Sequence, residues 1–128
     1  NVEGSKPQYS FHHMGQDGLL YVFEVPIDLL SFLTLYPEGW QEHSYAALCG
    51  TGGQAVRWML EQSPSLQSVV LCLDHDEPGQ TAARRIQEEL QGTGYHSGIL
   101  LPVHKDWNDD LVQGQTMAGH AMTMGQSM

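Results

Sequence analysis

The sequence predicts an α/β fold: a Rossmann-like, mostly parallel sheet of about four strands with flanking helices. Short apolar segments typical of strands alternate along the chain with segments of helical periodicity. One of them, Val69–Leu73, is five apolar residues in a row, which is typical of a strand buried on both faces. Because right-handed crossovers connect parallel strands, we expect the carboxyl ends of the strands to share one edge of the sheet.

The elements follow one another in a regular order. Tyr9–Met14 and Leu19–Phe23 have the pattern of strands and are separated by a Gly-rich turn, so an N-terminal antiparallel hairpin strand is expected before the parallel sheet. The helix predicted at Ile27–Tyr36 has no polar face, and we expect it to be buried. The remaining predictions are strands at 45–49, 69–73 and 95–101 and helices at 54–62 and 79–91.

The length of 128 residues suits a single domain. We expect residues 1–18 to form an N-terminal extension with the hairpin strand, and residues 19–112 to form the domain itself. Residues 113–128 are rich in Gly, Gln, Met and Ser without periodicity, which predicts a flexible tail. Because the chain starts at Asn1 rather than Met, we expect it to be part of a longer protein.

The charge of the chain constrains its partners. Fifteen Asp and Glu against five Lys and Arg give a net charge of −10, the wrong sign for a protein that grips phosphate backbones by its own surface. A divalent metal or neighbouring domains must offset this repulsion if the chain acts on nucleic acid. No signal peptide or membrane-spanning run is evident. Cys49 and Cys72 lie in apolar runs, so we expect reduced thiols in a cytoplasmic protein without membrane contact.

Acidic residues follow three strands of the predicted sheet: Glu24 and Asp28, then Asp74 and Asp76, then Asp106 and Asp109. Open α/β sheets bind ligands at the carboxyl ends of their strands, so the three groups can converge there. Aspartates one residue apart repel each other unless they share a cation. Each group also has a simpler interpretation, because acids cap loops and favour helix N-termini.

The same residues carry a resemblance to a known family. Phe23-Glu24-Val25-Pro26-Ile27-Asp28, Asp74-His75-Asp76-Glu77-Pro78-Gly79 and Lys105-Asp106-Trp107-Asn108-Asp109, taken in order, resemble the motifs of TOPRIM domains. These are metal-dependent modules of primases, topoisomerases and some nucleases. The resemblance covers about 19–111 and is greatest to TOPRIM-like domains in larger proteins of bacterial mobile elements. Two positions depart from the family pattern: Val25, where Gly is common, and His75, where Asn or Arg is often found.

The resemblance implies a catalytic domain that depends on Mg²⁺ or Mn²⁺ and performs nucleotidyl transfer or phosphodiester cleavage on DNA or RNA. It would be primase-like and part of a larger replication or mobilisation protein. Asp74 and Asp76 would be the main metal ligands, and Glu24 would be a ligand or the general acid/base. The other acids, Asp28, Asp106 and Asp109, would complete a second metal site or bind through water. Lys105 would either neutralise a phosphate or remain solvated.

Two other classes of function remain open. A non-catalytic TOPRIM module that binds metal or partners is favoured by the acidic surface and the lack of a basic groove. A phosphoacceptor receiver or a DxD phosphatase also uses an acidic pocket. Those proteins place their key acids after the first strand, whereas here the Asp74–Asp76 pair follows the third main strand.

Overall fold

The structure, a computed structural model, describes residues 12–49 and 53–114. Its strands are β1 (His12–His13), β2 (Leu19–Phe23), β3 (Ser44–Ala47), β4 (Ser68–Leu71) and β5 (His96–Ile99). Its helices are α1 (Pro26–Leu35), α2 (Gln54–Gln62), α3 (Glu77–Gln91) and α4 (residues 107–114), with a 3-10 turn at Trp40–Glu42. Of the predicted tail 113–128, the structure describes only residues 113 and 114, which belong to α4. Residues 9–11 of the predicted strand Tyr9–Met14 also lie outside the described residues.

All five strands form one sheet in the order β1-β3-β2-β4-β5. The four strands β2 to β5 are parallel to one another, which confirms the predicted mostly parallel α/β sheet. The N-terminal strand is antiparallel, as expected, but it pairs with β3 and not with β2, with His12 opposite Ala46. The physical reason is that β3 and β4 occupy both edges of β2, so that β1 cannot pair with β2 and adds instead to the outer edge of β3.

The sheet face that carries α2 and α3 holds the larger hydrophobic core. Side chains alternate between the faces of a strand, and Leu20 and Val22 of β2 lie on this face beside Val69 and Leu71 of β4. All four are at most 1% exposed. The two helices add seven buried side chains to this core: Ala55, Val56, Met59, Leu60, Ala83, Ile86 and Leu90.

The opposite face carries a smaller and mainly aromatic core beneath α1 and α4. Phe23 of β2 and Phe32 of α1 pack against Trp107 at the start of α4, with ring centroids 6.5 and 5.0 Å from the indole. The indole N–H of Trp107 donates to the Cys72 carbonyl at 3.0 Å. Trp107 therefore belongs to the core, with 3% of its surface exposed, and it fixes the start of α4.

Helix α1 packs against the sheet, but the expectation that it is buried holds for one side only. Leu29 and Phe32 face the sheet, but Ile27 and Leu30 are 53% and 46% exposed. A helix resting on one sheet face presents its other side to solvent unless a further layer covers it. Among the described residues no such layer exists, so α1 carries an exposed apolar side.

Two simpler observations complete the fold. The two cysteines are unpaired, with Cys72 buried and Cys49 exposed. Among the residues that the structure describes, none of the helices could cross a bilayer, since none is long and apolar enough.

We predict that Trp107→Phe destabilises the domain by about 2–4 kcal/mol, because it removes a buried hydrogen bond, leaves the Cys72 carbonyl without its donor and opens space in the aromatic core. Urea unfolding followed by circular dichroism measures this. Gln113→Ala, at an exposed position of the same helix, should change stability little. Equal stability of both variants would show that the indole does not hold α4.

Candidate metal centre

The candidate site lies where the chain reverses direction across the sheet. From β2 the chain moves outward to β3 on one side, and from β4 it moves outward to β5 on the other, while β2 and β4 are neighbours. The loops that follow these two central strands therefore diverge and leave a crevice at their carboxyl ends. In open α/β sheets this switch point is the usual ligand position.

Three carboxylates meet in this crevice. One oxygen each of Asp28, Asp74 and Asp106 lie within 4.8 Å of one another. Asp28 comes from the first turn of α1, Asp74 from the loop after β4, and Asp106 from the residue before α4. The predicted convergence of acids after three separate strands thus brings one member of each pair together.

Asp28 is the most deeply buried of the three acids, with 2% of its surface exposed. Burial raises its pKa to about 6, and the charges of Asp106 and Glu24 add to this effect. The backbone N–H of Asn108 donates to Asp28 Oδ1 at 3.2 Å and opposes the rise. The same bond ties the first turn of α4 to the first turn of α1.

Asp74 is surrounded by negative charge. Burial is the largest cause that raises its pKa to about 7, and Glu24, Asp28 and Asp106 raise it further. Its Oδ1 is buried and has no hydrogen-bond partner among the described residues. An orphaned carboxylate oxygen is costly, so a cation or proton at this place would relieve both the repulsion and the missing partner.

Glu24 connects the ends of the two central strands. Its Oε1 accepts a hydrogen bond from the Asp74 N–H at 3.1 Å. Gly79 lies against the same atom: a Cβ on this glycine would lie 2.8 Å from Glu24 Oε1 and 2.9 Å from Asp76 Oδ1, so only glycine fits without a shift. Val25 has extended backbone, with φ −136°, so the glycine that relatives commonly have is not required there.

Two acids of the site also cap helices. Asp76 begins α3 by accepting a bond from the Gly79 N–H at 2.8 Å, and Asp106 begins α4 by accepting one from the Asp109 N–H at 2.7 Å. Both are N-cap geometries. A role as helix cap and a role as metal ligand are therefore compatible, because each cap uses Oδ1 alone. For Asp106, one oxygen also belongs to the three-carboxylate group.

The remaining predicted site residues lie at the rim. Asp109 and Lys105 are exposed. Neither these two residues nor Glu24 and Asp76 belong to the group of three carboxylates found among the described residues. His75 donates its backbone N–H to the Lys105 carbonyl at 2.6 Å, and its Nδ1 lies 2.9 Å from the Pro102 carbonyl. His75 thus joins the loop after β4 to the loop before α4.

The arrangement fits a hard divalent cation. Its donors are carboxylate oxygens, which Mg²⁺ and Mn²⁺ prefer. Mg²⁺–oxygen distances of about 2.0–2.1 Å place two ligand oxygens at most about 4.2 Å apart, so side chains whose oxygens lie within 4.8 Å of one another need only a small shift to bind one ion. The site also lies at the N-termini of α1, α3 and α4, whose dipoles stabilise negative charge. The helix dipoles lower the electrostatic cost of placing three carboxylates together, but they do not remove the repulsion among them.

Sequence reasoning missed the groups that support these acids. The Asn108 N–H on Asp28 is a backbone contact that no side-chain pattern indicates. Ser31 lies one turn after Ile27 on α1, and its hydroxyl is 2.8 Å from the Ile27 carbonyl and 3.3 Å from Asn108 Oδ1. The available signal was a serine three residues after Asp28 in a mostly apolar helix.

We predict that the metal-free domain loses stability as the pH rises from about 4 to 8. The pKa values of Asp28 and Asp74 in the folded state, about 6 and about 7, exceed the ordinary value near 3.8. The folded state therefore binds more protons in this window, and its stabilisation, complete below pH 4, is lost as the pH passes 6 and 7. Urea unfolding in EDTA at pH 5 and 8 should show a loss on the order of 2 kcal/mol, less than the ~4 kcal/mol that the two pKa values alone give, because solvent screens partly exposed groups.

The control for this prediction is Asp28→Asn combined with Asp74→Asn. Because the other titrating groups are unchanged, the difference between this variant and the parent protein isolates the two acids. A difference that does not change between pH 5 and 8 would contradict the assignment.

Comparisons with known proteins agree with this geometry. A family model described as Toprim-like matches residues 21–111, from within β2 into α4. Comparison with curated proteins gave no match. The matched range contains all three acidic groups and Gly79, which lies against Glu24. It covers well over half of the chain. On this evidence the chain belongs to the Toprim-like family.

Proposed function

We propose that the domain binds Mg²⁺ or Mn²⁺ through Asp28, Asp74 and Asp106 and performs nucleotidyl transfer or phosphodiester cleavage on DNA or RNA. The observation that carries this proposal is the meeting of three carboxylate oxygens within 4.8 Å at the switch point of the sheet. The unpartnered, buried Asp74 Oδ1 supports it. Membership of the Toprim-like family supports the proposed reaction class.

The three acids would divide the work of holding the ion. Asp74, at the centre of the charge cluster, would be its main ligand, with Asp28 and Asp106 on either side. The bound ion would polarise a phosphoryl oxygen and stabilise the charge that develops in the reaction. Asp76, which caps α3, and Asp109, in the first turn of α4, would contribute through water or a second ion.

Glu24 is proposed as the general acid/base. Its Oε1 is held by the Asp74 N–H, which would orient the carboxyl group and direct its other oxygen to a proton of the substrate or of water. Lys105, exposed at the rim of the crevice, is proposed to neutralise a phosphate of the bound strand.

A second candidate function is a non-catalytic metal- or partner-binding module. The net charge of −10 favours it. Arg57 on α2 is paired with Glu89 at 3.0 Å, and Arg84 and Arg85 lie on α3. Phosphate backbones would therefore need contacts from other domains. In either case the proposed setting is a larger, cytoplasmic, primase-like protein of a bacterial mobile element.

We predict that millimolar Mg²⁺ or Mn²⁺ raises the Tm of the domain at pH 8 by several degrees, since a ligand that binds only the folded state stabilises it. Asp74→Asn should abolish most of this shift. The same variant should raise the Tm of the metal-free domain, because it removes a buried like charge. Differential scanning fluorimetry measures both effects.

Glu88→Gln is the control, since it also removes one carboxylate charge, at an exposed position of α3 that belongs to no proposed ligand set. It should retain most of the metal shift. Absence of any shift in the parent protein, or an equal loss in both variants, would rule out the proposed ligand group.

We predict that Glu24→Gln lowers metal-dependent activity of the full-length parent protein about 100-fold or more while it retains the metal-induced Tm shift. The amide oxygen can still accept the Asp74 N–H, so the variant removes the ionisable group and keeps the contact. Primer synthesis and plasmid nicking with Mg²⁺ or EDTA measure the activity. Full activity in the variant would remove Glu24 from catalysis. A Tm shift without either activity in the parent would favour the non-catalytic module.

A further inference from the structure

A groove on the aromatic face of the sheet lies apart from the acidic crevice. It has a volume of about 420 Å³ and runs between the end of α1 and the segment that joins β5 to α4. The acids lie at the first turn of α1, whereas Tyr36 at its other end lines the groove, about 12 Å farther along the helix axis. The buried rings of Phe32 and Trp107 lie between the two places.

The floor of the groove is a set of aromatic faces. Tyr21 of β2 and Tyr45 of β3 are stacked, with ring centroids 5.4 Å apart and planes 17° from parallel. Phe32 lies 5.3 Å from Tyr21, and Tyr36 lies 5.0 Å from Phe32. Such faces carry negative quadrupole charge and attract cations.

The walls of the groove are apolar and exposed. Tyr36 is 57% exposed and Val103 is 81% exposed, with Leu100 and Leu101 beside them at 39% and 44%. Tyr36 lines the groove on the side of α1, and Leu100, Leu101 and Val103 line it on the side of the segment between β5 and α4. A patch of this kind on an acidic protein is typical of a binding surface.

The charge of the groove selects among ligands. Glu38, Asp110 and His43 line it, with His43 paired to another carboxylate, and no Lys or Arg is among its lining residues. Burial alone would raise the pKa of Asp110, but hydrogen bonds from the backbone N–H groups of His104 and Val103 lower it below its ordinary value, so this carboxylate is charged at neutral pH. Phosphates are repelled, and a cation is attracted.

We infer that this groove docks an extended peptide segment of a partner protein or domain, in which an arginine is flanked by apolar residues. The planar guanidinium stacks on the exposed ring of Tyr36 near Glu38, and the flanking apolar side chains pack on Val103 and Leu101. This inference does not depend on the metal site. It identifies a place where a basic partner joins a chain that has few cations of its own.

The test is an NMR titration of the ¹⁵N-labelled chain with the peptide Ac-Leu-Arg-Leu-NH₂. We expect millimolar peptide to shift the amide resonances of Tyr36, Glu38 and Val103. Replacement of arginine by citrulline, which has nearly the same shape without the charge, should weaken binding about five-fold or more. A peptide with glutamate in place of arginine, and the dinucleotide pTpT, should leave these resonances unchanged.

Variants of exposed residues locate the contact. Glu38→Gln and Tyr36→Ser should each weaken binding of the arginine peptide several-fold, and Glu88→Gln on α3 should not. Equal affinity for the citrulline peptide, shifts outside the groove, or binding of pTpT in it would overturn the inference. So would a peptide-free dimer that Tyr36→Ser converts to a monomer, because a second copy of the chain would then be the occupant.

Discussion

Repulsion among carboxylates in a partly dry crevice is the constraint on which the rest of this structure depends. Asp28, Asp74 and Asp106 bring three oxygens within 4.8 Å, and water cannot screen them as it does on a surface. Each lies at or beside a helix N-terminus, and the Asn108 N–H bonds to one of them. These features reduce the cost of the cluster and do not remove it, so stability must come from the two hydrophobic cores on either side of the sheet.

The positions of the acids follow from the way the loops end. After β4 the chain turns directly into α3, and Asp76 makes that turn by capping the helix. After β5 a longer segment leads to Asp106, which caps α4 in the same manner. Caps therefore hold the backbone at two of the three loops, while Glu24 and Gly79 fix the spacing of the two central strands. The rigidity of the candidate site is a consequence of ordinary helix starts, placed where the sheet reverses direction.

The sequence was sufficient for features that depend on local pattern and chain order. Alternation of strands with helices predicted the parallel sheet, and helical periodicity predicted the bounds of α2. Features that depend on competition between distant segments of the chain could not be predicted from the sequence. The partner of β1 depends on which strand edge stays free. The entry of Asp28 into the three-oxygen group depends on how the first turn of α1 faces α4, and the exposure of Ile27 depends on the absence of a covering layer among the described residues.

The two ends of α1 together explain how so acidic a chain could act on an acidic polymer. Its first turn holds Asp28 beside the proposed metal site, and Tyr36, directly after its last residue, borders a groove whose rings and carboxylates attract cations. A metal ion lowers the repulsion only within the crevice, because screening confines its effect to about a Debye length, roughly 8–10 Å. A strand several nucleotides long extends beyond that distance. Positive charge must therefore reach the domain from a partner, and an acidic, aromatic groove on the same helix is a suitable place for that partner to attach.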